Sequence, residues 1–342
     1  MYGWSGALTL GVGVVASVFV WAGPSQADTL GTVRQRGAVA CGVSAQMPGF
    51  AGIGVNGAWA GLGIDFCRGL AAVIFNDPSK VRIVDVAPDA RISSLTNGDV
   101  DLLADLLPWT LHNDTEEGVK FIGTLFYDGQ GFLAGKAAAL KSVRNLANRT
   151  VCVEGGSPAE ADASEYFDAH NIDARLLPLP SRDAAVAAYK AGACIAYSAD
   201  LSVLVGVRAT LPTPTDQVLL PDLITKEPRG IVVRQGDDRW FDVARWTLYG
   251  LLDAEELGVT QGNVDEMLGS DNISIRRLLG VEGDFGAVLG LNKDWAYQLI
   301  KGVGNYADIY DRDLGDQSAL KLPRGLNALW SKGGIQYSPP VR

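Results

Sequence analysis

In the stretch ADLLPWTLHND, Ala104 to Asp114, an apolar run leads straight into Pro108 and Trp109 and then into polar residues with no hydrophobic period. A large aromatic at the mouth of a strand suits a ligand platform, because an indole stacks on apolar, aromatic or cationic groups. A second stretch, GGSPAE at residues 155–160, reads as a helix start. Ser157 is the N-cap, Pro158 stands at the first helical position and Glu160 completes a capping box. Free N–H groups at such a terminus can receive a carboxylate, although capping alone accounts for the pattern equally well. Arg91, in DARISSL, is a candidate cation with a surface position as its alternative. Tyr127, Asp128 and Gln130, in YDGQGF, are candidate ligand or closure contacts. Chemistry of other kinds finds little footing. The two histidines, His112 and His170, sit in polar segments, and no CxxC pair or nucleophilic triad is apparent. The reading is therefore of a binding protein rather than an enzyme, with no cofactor and no metal, and a glutamate acid/base pair is the one catalytic option left open.

These residues need a scaffold. The 342 residues suffice for two lobes, and 47% apolar content with 20% charge marks an ordered globular chain. A net charge of −10 argues against nucleic acid and anionic membranes as partners. Residues 1–27 lack charged side chains, hold an apolar run from Ala7 to Ala22 and end in Ser25-Gln26-Ala27. This is the pattern of a secretory signal, with an uncleaved anchor as the alternative because no Lys or Arg precedes the run. The four cysteines fall two in each half and permit three pairings. The favoured pairing, Cys41–Cys67 and Cys152–Cys194, closes one loop in each half, as an exported protein can sustain; four free thiols are the alternative.

After Ala27, short apolar strands alternate with amphipathic helices, the mark of α/β units. One set runs through AVACGVS, DFCRGLAAVIF, VRIVDVA, DARISSLTNG and VDLLADLL; a second runs through TVCVEG, a helix from Pro158 to Ala169, ARLLPL, RDAAVAAYKAG and CIAYS. The texture then changes to a strand in KEPRGIVV, a long helix from about Asp238 to Leu257 and further helices. This predicts a first lobe at 28–132, a second at 133–228, and a return of the first at 229–342 with a C-terminal helical extension. The hinge crossings fall near DGQGFLAG and KEPRGIVV. Ligands commonly bind between such lobes.

The motifs YDGQGF, KEPRGIVVRQGDDRWFDVARWTLYGLLDAEELG, NVDEML, LGLNKDWAYQLIKGVGNY and RGLNALWSKGGIQYSPP carry a resemblance. From about Asp28 to Arg342 the chain resembles the extracellular solute-binding proteins of polar amino-acid ABC importers, solute-binding protein family 3, and within them the general L-amino-acid-binding periplasmic subgroup. The resemblance implies a type II periplasmic-binding fold, α/β in class, with two lobes on a two-segment hinge. It also implies no catalysis, a periplasmic location, delivery of a captured solute to ABC permease subunits, and the same two intra-lobe disulfides.

An amino-acid pocket needs a cation or N–H bundle for the α-carboxylate, an anion for the ammonium and a shaped wall for the side chain. The resemblance implies Trp109 and Phe50, in MPGF, as facing walls, Gly156 and Ser157 at the carboxylate and Asp200 at the ammonium. In relatives the carboxylate-gripping arginine falls on Asn113, which donates hydrogen bonds but carries no charge. Losing such a buried pair typically costs about 2–5 kcal/mol. Leu106, Leu107 and Pro108 stand where hydroxyl-bearing residues are usual, and Pro158 where a second hydroxyl is usual. The expected ligand is therefore shifted toward a cationic or amide-bearing compound, or an amino acid held mainly by helix N–H groups. A sensory or partner-binding protein on the same fold, with altered or lost ligand binding, is the alternative.

Overall fold

The computed structural model describes residues 1–3, 28–44, 47–54, 57–115 and 118–342. The stretch read as a secretory signal, 1–27, lies outside the described residues beyond its first three.

Helix α1 (Thr29–Arg36) leads into β1 (Val39–Val43), and a two-residue ladder of β2 (Gly52–Ile53) and β3 (Trp59–Ala60) carries the chain to α2 (Leu62–Phe75). Then come β4 (Val81–Asp85), α3 (Arg91–Asn97), β5 (Leu102–Pro108), α4 (Leu111–Thr115) and β6 (Val119–Asp128). The next set comprises β7 (Gln130–Gly135), β8 (Thr150–Glu154), α5 (Pro158–Ala169), β9 (Arg175–Leu179), α6 (Arg182–Lys190), β10 (Ala196–Asp200), α7 (Leu201–Thr210) and β11 (Gln217–Leu219). Finally β12 (Glu227–Arg234) precedes α8 (Asp238–Glu256), α9 (Val264–Met267), α10 (Ile273–Leu278), α11 (Trp295–Val303) and α12 (Tyr306–Asp313).

The strands form two five-stranded sheets, ordered β4-β1-β5-β12-β6 and β11-β7-β10-β8-β9. Each sheet is the centre of one α/β lobe. Strand β1 is buried at every residue, VACGV, as a parallel strand covered on both faces must be. Between β6 and β7 stands a single residue, Gly129, so the chain passes from one sheet to the other there; it returns through residues 220–226. The second sheet thus takes the chain at Gln130 and the first takes it back at Glu227, each slightly earlier than the boundaries read from the sequence. The crossings touch. A Cβ on Gly129 would stand 2.4 Å from the Thr225 carbonyl oxygen, a gap that only glycine leaves open. Thr225 Oγ1 accepts from the Gln130 N–H at 2.9 Å.

Cys41 on β1 is bonded to Cys67 on α2, and Cys152 on β8 to Cys194 just before β10, one bridge in each lobe. The larger core gathers Trp240, Phe66, Trp295, Tyr306 and Tyr310 around the first sheet. The lobes also meet directly. Val205 of α7, a helix of the second lobe, is buried in that first core, and Arg208 on the same helix donates to the Leu320 carbonyl. The C-terminal segment braces the crossing. Asn327 accepts from the Tyr127 N–H at 2.7 Å and donates to the Tyr127 carbonyl at 3.1 Å, as an extra strand along the β6 edge would.

Candidate functional site

Strands β8 and β10 run parallel and end side by side, at Glu154 and Asp200, toward the first lobe. The ends of parallel strands are where open α/β sheets hold ligands. A cavity of about 250 Å³ opens there, bounded by Pro108, Glu227 and Arg229 of the first lobe, by Glu154, Ser157, Asp162, Arg182 and Asp200 of the second, and by Thr225 of the return crossing. A larger hollow of about 840 Å³, with Arg149, Tyr189 and Lys190 in its wall, lies at the opposite end of the second sheet, away from the crossings.

The centre of the site is Arg229. It is one of the residues that sequence reasoning missed. The Nε donates to Asp128 at 2.8 Å, and Nη2 donates to both Asp200 at 2.7 Å and Glu227 at 2.9 Å. Its Nη1 lies 3.5 Å from the carbonyl of Leu106, which is held at φ +56°, a conformation rare for a side chain of this kind. Such backbone strain gathers at functional sites. The Asp128 side chain is wholly buried and also accepts from Ser202 Oγ at 2.6 Å and from the Gly129 N–H at 2.9 Å. Three carboxylates thus share one guanidinium.

The titration behaviour follows. Burial raises the Asp200 pKa, the nearby Asp128 charge raises it further, and Arg229 opposes both. Glu227 is raised by burial first and then by Asp200. Burial pulls Arg229 down, but its three acidic neighbours outweigh that and hold it above the ordinary arginine value. Tyr197, on the cavity wall, is pushed by burial up to about 12, so its phenol stays a neutral donor.

The anticipated residues divide. Asp200 and Ser157 line the cavity. Asp200 precedes α7 without capping it, its carboxylate going to Arg229 instead. Ser157 caps α5, accepting from the Glu160 N–H at 3.4 Å while donating to the Glu154 carbonyl at 2.6 Å. The expected capping box is displaced by one residue. Glu160 Oε2 accepts from the Gly156 N–H at 2.7 Å, because Gly156, at φ +71°, turns that group toward the helix. The protein's own carboxylate therefore already sits at this helix start. Gln130 is buried behind the cavity, its Nε2 donating to the Ala159 carbonyl at 2.7 Å and to Ser198 Oγ at 2.8 Å.

The others lie elsewhere. Trp109 is not a jaw of the cavity: its indole lies flat on Phe121, centroids 5.0 Å apart with planes at 5°, and Pro108 lines the space instead. Phe50 is 1% exposed and packs edge-on against Phe126 in the core, so it forms no opposing wall. Asn113 folds back, its Nδ2 donating to the Pro108 carbonyl at 2.9 Å. Arg91 pairs with the buried Asp105 at 3.2 Å and does not line the cavity. Sequence reasoning also passed over Arg182 and Glu227. A usable signal was that Arg229 and Glu227 both stand in KEPRGIVV, the segment singled out as a hinge crossing.

The chain is 44% identical over 335 residues to the general L-amino acid-binding periplasmic protein AapJ of Rhizobium johnstonii, with 97% of each covered. It belongs to the periplasmic amino-acid-binding proteins of ABC transporters. Within that family the glutamate/glutamine/aspartate/asparagine-binding protein BztA of Rhodobacter capsulatus is 39% identical over 331 residues, covering 96% of this chain and 98% of the relative. A solved structure, an ABC transporter periplasmic binding protein from Brucella ovis with glutathione bound, superposes with a TM-score of 0.80 at 46% identity. It covers 92% of this chain and 100% of that one. No family model matches the chain. The fold is the type II periplasmic-binding fold with additional C-terminal helices, and among the described residues no helix is long and apolar enough to cross a membrane.

Proposed function

We propose that the protein is a periplasmic receptor that captures a small polar compound through a cationic nitrogen and delivers it to the membrane permease of an ABC importer. Relatives named for general L-amino acids and for glutamate, glutamine, aspartate and asparagine support the transport role. The ligand class rests on one observation: among the described residues the cavity is lined by Glu154, Asp162, Asp200 and Glu227 against Arg182 and Arg229. A cavity with excess acid concentrates cations. Anion capture is correspondingly weak. Asn113 is neutral and tied to its own backbone, Pro158 has no N–H to give, and Glu160 occupies the Gly156 donor. An amino acid is then held chiefly by its ammonium, with Asp200 and Glu227 as the acceptors nearest the crossing. Opening and closing about the two crossings moves the compound in and out, with α7 as the surface on which the lobes meet.

A thermal-shift panel of neutral amino acids, amino-acid amides, diamines, glutathione and amine-free dicarboxylic acids tests this. A compound at a hundred times its Kd adds about 2.7 kcal/mol to stability. The compounds with a single amine should raise the melting temperature and amine-free dicarboxylic acids should not. The reverse pattern, or no response to any amine, defeats the reading. Capture of permease subunits from inner-membrane extract tests the delivery step separately. The sensory or partner-binding alternative gains no specific observation.

A further inference from the structure

Arg229 enters the cleft from β12 of the first lobe and Asp200 from the end of β10 in the second, so their 2.7 Å pair spans the lobes. The same Nη2 reaches Glu227 at 2.9 Å, which places the guanidinium between two carboxylates that line the cavity. These are the bonds that a ligand's cationic group would make there, and the protein makes them with its own side chain. The guanidinium is also fixed from behind by the wholly buried Asp128, and only 11% of the Arg229 side chain is exposed. It cannot swing aside without stranding that carboxylate.

We propose that Arg229 is a specificity-determining residue that excludes ligands carrying a second cationic group, such as diamines and lysine- or arginine-like compounds. It does so by filling the place between Asp200 and Glu227 that such a group would take. This deepens the amine-receptor reading and rests on it. A monoamine shares the acidic rim with Arg229, whereas a second ligand cation would have to lie against the guanidinium, where like charges repel. Net acidity draws amines in, and the built-in cation limits how many positive charges they carry.

The test is calorimetric titration of the intact protein with alaninamide, 1,4-diaminobutane and arginine. Native protein is compared with Arg229→Lys and with the double variant Arg229→Met/Asp128→Asn, which removes one positive and one negative charge together. The affinity of the two probes that carry a second cationic group, relative to alaninamide, should rise at least about tenfold in the double variant. It should stay low in Arg229→Lys and fall back when Asp200→Asn is added to the double variant. Should the double variant fail to fold, Arg229→Gln, whose amide still donates to Asp128, carries the same comparison. A folded variant with an unchanged ratio overturns the proposal, as does native protein that already prefers the diamine. A merely structural arginine would shift the melting temperature and leave the ratio alone. The native ligand class is read from native protein, and the role of Arg229 from the difference between variants, so either can fail without the other.

Discussion

Replacing Arg324 by methionine should unfasten the C-terminal segment from the rest of the first lobe. Glu255, in the last turn of α8, keeps only 4% of its side chain exposed and accepts from Arg324 Nη2 at 2.9 Å. Its other neighbour, Lys332, is 3.6 Å away and largely exposed. The Arg324 guanidinium also lies 5.0 Å from the ring centre of Tyr306 and 4.9 Å from that of Tyr310, and it donates twice to the Asn327 carbonyl. Removing one partner of a buried pair costs about 3–5 kcal/mol, because the remaining charge is stranded. Lys332 recovers part of that, while the two ring contacts add roughly 0.5–1 kcal/mol each when exposed and more when dry. The expected net loss is about 3–5 kcal/mol in urea denaturation followed by tryptophan fluorescence. Since Asn327 pairs with both backbone groups of Tyr127, limited proteolysis should also clip the C-terminal segment faster. The decisive control is Glu255→Gln combined with Arg324→Met, where no charge is stranded. If that double variant is as unstable as Arg324→Met alone, the charge argument is wrong and packing carries the effect.

Three further outcomes follow from the same geometry. Burial pushes the Asp253 pKa from 3.8 to about 6, so the folded protein holds that proton more tightly than the unfolded chain. Its contribution is fully present below pH 3.8 and is lost as pH rises to about 6; Asp253→Asn should therefore gain up to about 3 kcal/mol at pH 7.5 and little at pH 4, read from melting curves at both pH values. Gly129→Ala would bring a methyl to 2.4 Å from the Thr225 oxygen, and a loss of about 1–3 kcal/mol is expected by calorimetry, with an unaltered melting temperature counting against the packed-crossing picture. Because the Trp109 indole is stacked on Phe121 outside the cavity, Trp109→Ala should lower stability yet change affinity for an amine ligand less than about threefold; a larger drop in titration would restore the indole as a wall.

The parts of this fold that were legible are those set by repeating local chemistry. Strand β1 reads as buried because it is apolar at consecutive positions, and α5 begins where Ser157 and Pro158 say a helix must begin. Even there, register escaped by one residue, since the φ of Gly156 decides which N–H meets Glu160 and no residue type declares it. The two aromatics fail for a different reason. Phe50 and Trp109 look alike as wall residues and as core residues, because an aromatic ring buries its area equally well against a ligand or against Phe126 and Phe121. What separates the two cases is the direction of one side chain, and that is a property of packing.

Arg229 marks the deeper limit. Its partners come from the end of β6, the end of β10 and the start of its own strand, segments 101, 29 and 2 residues away in sequence. No short window of sequence contains all three, and β12, buried without a break from Arg229 to Val233, does not say what its arginine holds. A carboxylate such as Asp200 could be placed at a strand end from the sequence, yet whether it waits for a ligand or already holds a cation depends on what the other crossing brings beside it. Charge in a cleft is a sum over segments that meet only in the fold. A neutral side chain at Asn113 and a guanidinium at Arg229 therefore differ in kind: Asn113 is spent on the Pro108 carbonyl, while Arg229 already occupies one oxygen each of Asp200 and Glu227.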